Sequence, residues 1–124
     1  MATTKITLRN PLGSVVFQET ALSTTPVQLA GAAATYYHFE LDNTSNTAVT
    51  YYKFYVSGAQ APDPTDNATH PRFVIPVPAA TKSYLFVSTG LYQTTGNWAI
   101  ATATLDSAGA QTAPANAVAL TVLG

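Results

Sequence analysis

The chain contains no cysteine, so it holds no disulfide, no thiol nucleophile and no Cys-ligated zinc site. Charge is nearly as scarce. Charged residues make up 9% of the 124 residues, against about 25% in an average soluble protein. The five Lys and Arg stand singly against six Asp and Glu, leaving no basic stripe to neutralise a run of phosphates, and nucleic-acid binding is not expected. A weakly charged surface loses little solvation when it is covered, which suits contact with neighbouring subunits.

Long apolar runs are also missing. No segment approaches the roughly 18 uninterrupted apolar residues of a membrane-spanning helix, and the opening MATTKITLRN lacks the apolar centre of a signal peptide. The expectation is a product that is neither secreted nor membrane-bound. Asn43-Thr44-Ser45 and Asn67-Ala68-Thr69 therefore read as Asn-rich turns rather than glycosylation sites. Helical periodicity is absent too: the most Ala-rich stretch, residues 30–35, contains Gly31 and has no apolar repeat at three and four residues.

Short Val-, Ile-, Thr-, Tyr- and Phe-rich segments with period-two alternation are what the sequence does contain, punctuated by Gly, Pro, Asn and Asp. They predict strands at 5–8, 14–18, 26–29, 36–41, 49–56, 72–77, 82–87, 97–104 and 117–123. The fold class is all-β: an antiparallel β-sandwich, Ig-like or jelly-roll-like, of about seven to nine short strands. Residues 1–13 read as an N-terminal arm or edge strand, and 14–124 as a single sandwich domain.

The segments 36–41 and 49–56 read as a hairpin. With Leu41 near Ala48, the residues Tyr37, Phe39 and Leu41 share a core face with Thr50, Tyr52, Phe54 and Val56. The other face then carries Tyr36, His38 and Glu40 beside Val49, Tyr51, Lys53 and Tyr55. Tyr offers contact area at low entropic cost and is enriched at interfaces, so Tyr36, His38, Tyr51, Lys53 and Tyr55 are the candidate interface residues. The alternative is that this face is covered within the subunit by the N-terminal arm. Further along, Phe73, Ile75 and Val77, then Trp98 and Ile100, then Val118, Leu120 and Val122 are expected to point inward.

For chemistry the raw material is thin. Two His, isolated carboxylates and no Cys match no catalytic spacing, and no catalytic or phosphate-binding motif occurs. No enzyme, no catalytic residue and no cofactor are expected. One loop, 61–71, gathers Asp63, Asp66, Asn67 and His70, oxygen and nitrogen donors that could in principle cradle Ca²⁺. Pro62, Pro64 and Pro71 and the lack of an EF-hand pattern make it a stiffened connection instead, so no metal is expected and Asp63, Asp66 and His70 are weak candidates only.

The order LDNTSN (41–46), YYKFY (51–55), VIPVPAA (74–80), TGL (89–91) and GNWAIATAT (96–104) resembles small β-sandwich virion structural proteins of tailed bacteriophages, of the cement or decoration kind. The likeness spans residues 36–104 and departs at Ala80, where the pattern commonly has Gly. It implies a non-enzymatic virion component, made in the bacterial cytoplasm. Most often this would be a capsid cement that packs between major capsid or other virion proteins as a homo-oligomer, with a trimer favoured. Two rivals remain. A receptor- or carbohydrate-binding module of a tail or fibre would stack sugars on Tyr36, Tyr51, Tyr55 or Tyr92, and a hydrolase would need a cleft joining His70 to a carboxylate and a hydroxyl.

Overall fold

Residues 16–30, 33–93, 96–106 and 109–123 are described by a computed structural model, and every regular element among them is a strand. These are β1 (Val16–Leu22), β2 (Val27–Ala30), β3 (Ala34–Asp42), β4 (Thr50–Val56), β5 (Phe73–Val77), β6 (Lys82–Gln93), β7 (Asn97–Thr102) and β8 (Val118–Leu123). The predicted 5–8 strand and the 1–13 arm lie outside the described residues. The other expected segments are all present, with β6 running on to Gln93.

The pairing is nested. β1 pairs with β8, β2 with β7, β3 with β6 and β4 with β5, all antiparallel, as in one long hairpin whose turn joins β4 to β5. Two further pairings, β3 with β8 and β4 with β7, roll that hairpin into a first sheet ordered β1-β8-β3-β6 and a second ordered β2-β7-β4-β5. This is the strand order of a jelly roll, which decides between the two sandwich types the sequence allows.

The expected 36–41/49–56 hairpin does not form: β3 belongs to the first sheet and β4 to the second. The reason lies in the corner between them. The buried Asn43 side chain donates to the carbonyls of Ala48, Val77 and Pro78 at 3.0, 3.1 and 3.0 Å, and accepts from Asn46 and Thr50 at 2.8 and 2.7 Å. Those bonds hold the connection as a crossing between sheets, because a buried amide must satisfy its donors and acceptors where it sits. Ala80 closes the neighbouring turn, its N–H donating to Asn46 O at 2.8 Å. Its φ is 52°, the left-handed region where Gly is unstrained.

The strands close over one core. Phe39, Leu41, Tyr52, Val77, Leu120 and Val122 are fully buried, and the Phe54 ring stacks on Phe73 at 4.5 Å while meeting Phe39 edge-on at 5.4 Å. Each such side chain contributes about 1.5–3 kcal/mol by leaving water. The inward set predicted for β4, β5 and β8 is the observed one, with Val56 only half-buried at the end of β4.

In β7 the phase is reversed. Ala99 and Ala101 face the core, and Trp98 and Ile100 point outward. Ala99 pairs with Phe54 and Ala101 with Tyr52, so small residues sit where the neighbouring strand already supplies the bulk. The phase also slips in β3, where Tyr36, expected outward, is buried in the core beside Phe39, and Tyr37, expected inward, is half-buried. The cause is a bulge: between the pairs Tyr36–Leu91 and His38–Phe86, the residues Val87, Ser88, Thr89 and Gly90 of β6 oppose Tyr37 alone. Gly90 has φ 81° and lies so close to Thr35 and Tyr37 that a Cβ would collide with both side chains.

Candidate interaction face

The five interface candidates do not share one surface. Tyr36 is in the core, His38 lies on the outer face of the first sheet, and Tyr51, Lys53 and Tyr55 lie on the outer face of the second. That second face is covered, as the alternative reading allowed, but by two connections of the sandwich itself. Lys53 is 0% and Tyr55 2% exposed, and Ile100, Pro62, Pro64 and Pro114 are buried with them.

The cover is tied down by specific bonds. The Lys53 ammonium donates to the carbonyl of Asp106 and to Gln111 Oε1 at 2.7 Å, while Gln111 Nε2 donates to Gly109 O at 2.9 Å. Trp98 Nε1 donates to Gly58 O at 3.0 Å, which pins the other connection. Burial holds Lys53 below the usual lysine range, opposed by the charge of Asp106. It also pushes the Tyr55 hydroxyl up to about 12, and that hydroxyl has no hydrogen-bond partner among the described residues. Tyr36 is pushed up to about 12 by the same cause, with Asn97 opposing.

The outer face of the first sheet is bare by comparison. The register sets His38 beside Phe86, Glu40 beside Tyr84 and Asp42 beside Lys82, so one row of β6 side chains faces one row of β3. Tyr84 and Phe86 are 61% and 62% exposed. The His38 ring lies 6.0 Å from Tyr84 and 6.2 Å from Phe86, joining the three into a ridge. At its end Lys82 pairs with Glu40 at 2.9 Å, which raises the lysine above its ordinary range; an ion pair this exposed adds little stability. Asp42 is held low by the hydroxyl and amide of Thr44.

The 61–71 loop does not gather its donors. Asp63 accepts from the amide and hydroxyl of Thr65 at 3.0 and 2.6 Å, and Asp66 from the amide of Ala68 at 2.9 Å. Each carboxylate caps its own turn, and the Thr65 bonds lower Asp63. Among the described residues no group of three or more His, Cys, Asp or Glu could hold a metal. His70 lines an open pocket of about 230 Å³ with Tyr55, Ser57 and Thr69. Hydroxyls are present there, and among the described residues no carboxylate lines the pocket.

No protein-family model, curated protein or solved structure matches the chain. Its function has to be read from its own residues. Of the sugar-stacking candidates, Tyr36 and Tyr55 are buried and Tyr51 is half-buried; the side chain of Tyr92 lies outside the described residues. Among the described residues the exposed large aromatics are instead Tyr84 and Phe86, neither of them among the candidates expected from the sequence. Their only signal was the two-residue spacing within SYLFV, and that strand is apolar on both faces.

Proposed function

We propose that the chain is a structural module of a bacteriophage particle, a capsid cement or decoration protein that stabilises the shell by packing between subunits. Its contact surface is the outer face of the first sheet. The observation that carries this reading is the contrast between a face sealed by the chain's own loops and a face left with an aromatic ridge, since exposed aromatic patches rimmed by polar groups mark interaction sites. Jelly rolls serve in viral capsids and in lectins alike, so the topology is compatible with the reading without deciding it.

On this reading Tyr84 and Phe86 are the anchors, losing their hydration against a partner, and the Glu40–Lys82 pair forms the polar rim that sets orientation. The activity is binding, measured as particle stability. Removing both anchors (Tyr84→Ala with Phe86→Ala) is expected to weaken attachment to particles by at least about 2 kcal/mol with a melting temperature unchanged at low protein concentration, and particles lacking the protein are expected to lose heat resistance. Attachment of the double variant at wild-type strength would overturn the assignment of the face.

A second reading has one observation in its favour. Two exposed rings two residues apart on a strand, beside a carboxylate and an ammonium, also suit a sugar chain, as in a receptor- or carbohydrate-binding module of a tail or fibre. Binding on a glycan array that is lost in Phe86→Ala would favour it.

A further inference from the structure

Among the described residues the sandwich has four edge strands, and three of them carry features that discourage pairing with another chain. β5 contains the exposed Pro76, which has no N–H to donate. β2 is four residues long and irregular in register, and β1 slips between Glu19 and Leu22; short or bulged edges are poor templates.

The first half of β6 differs. From Lys82 to Phe86 its ladder with β3 is continuous, it contains no Pro, and among the described strands β3 is its sole neighbour. Three successive large apolar residues on it are exposed: Tyr84 61%, Leu85 36% and Phe86 62%. Backbone groups directed away from β3 there can be satisfied in a sheet only by another strand.

We propose that this edge pairs with the same edge of a second copy, Ser83 to Val87 running antiparallel to its twin about a two-fold axis at Leu85. The two first sheets then become one continuous sheet. In this register Tyr84 of each copy lies across from Phe86 of the other and Leu85 faces Leu85, an isologous contact built from cross-strand apolar and aromatic pairs. Charge permits it: Lys82 is the sole charged residue from 82 to 88, it is paired with Glu40 of its own chain, and the two-fold sets it opposite Ser88 rather than another lysine. The proposal deepens the assembly reading above by naming the first partner, a second copy of this chain.

The test is the mass of the full chain against concentration by sedimentation. The wild type is expected to dimerise. Tyr84→Lys or Phe86→Glu alone should weaken dimerisation about tenfold or more, while the melting temperature, extrapolated to low concentration, stays at the wild-type value because both side chains are exposed. Combining them sets a lysine opposite a glutamate twice across the axis and should restore the dimer, whereas Tyr84→Lys with Phe86→Lys should not. A wild type that stays monomeric, a trimeric mass, or a charge-swapped double variant that fails to recover would overturn the proposal. If the wild type is monomeric yet binds particles, the edge pairing fails while the assembly reading stands; if it dimerises but binds no particle, the reverse holds.

Discussion

On the outer face of the second sheet the chain folds its own loops over Lys53, Tyr55 and Ile100 until each is at most 2% exposed; on the outer face of the first, it leaves Tyr84 and Phe86 about three-fifths exposed. Both faces carry aromatics beside a lysine. In one case the lysine meets a carbonyl and a glutamine brought from the β7–β8 connection, and in the other it meets a surface carboxylate. The lesson is that a Tyr/Lys-rich strand face does not by itself mark an interface. What matters is whether the connections are long enough, and suitably bonded, to return and cover it.

The sharpest break of that contrast is a matched truncation. Tyr55→Ala should cost about 3–5 kcal/mol in chemical denaturation, since a large buried ring leaves a cavity, while Phe86→Ala should stay within about 0.5 kcal/mol. Equal losses would erase the distinction between the faces. A smaller effect is expected at the anchor of the cover. Asn46 donates to Asn116 O at 2.9 Å and accepts from the Asn116 amide at 2.7 Å, so Asn46→Ala should cost about 1–3 kcal/mol and hasten proteolysis within the β7–β8 connection. Unchanged proteolysis would mean that the corner does not hold the loop.

The smallest effect is one of pH. Tyr36 and Tyr55 have hydroxyls raised from 10.0 to about 12, so the stability tied to their neutral forms is fully present below pH 10.0 and is lost as pH rises towards about 12. Lys53 is lowered and acts in the opposite sense, its burial becoming easier as the ammonium deprotonates. Tyr52, also raised by burial, acts in the same sense as the other two tyrosines, so net stability should fall over that window, and Tyr55→Phe should flatten the fall when denaturation midpoints are compared across it. A midpoint that rises through the window would reverse the account of the covered face.

Much of the fold was legible in the sequence because strands and turns announce themselves locally, through period-two alternation and Gly, Pro and Asn at the breaks. Phase was legible only where one face is polar. In β7 both faces are covered, so WAIA alternates large with small rather than apolar with polar, and which set faces the core depends on Phe54 and Tyr52 across the ladder. The β3–β4 hairpin misled because neighbouring strands usually pair, whereas Asn43 reaches carbonyls more than thirty residues away. The same distance effect hid the candidate site. Lys53 reads as a solvent-facing residue until Asp106 and Gln111 arrive, and Tyr84 and Phe86 are distinguished from buried aromatics only by what fails to cover them. Where the phage resemblance implies a trimer, our proposal places a two-fold contact at β6.

Amide hydrogen exchange, followed in dilute and then in concentrated protein, tests the central claim most directly. The account predicts that concentration slows exchange within residues 83–87 of β6, on the edge beside the aromatic ridge, and leaves residues 57–72 and 103–106, which belong to the covered side, unchanged. Protection gained in the 57–72 loop with none in β6 would contradict it, because the face sealed by the chain's own loops would then be the one that meets other molecules.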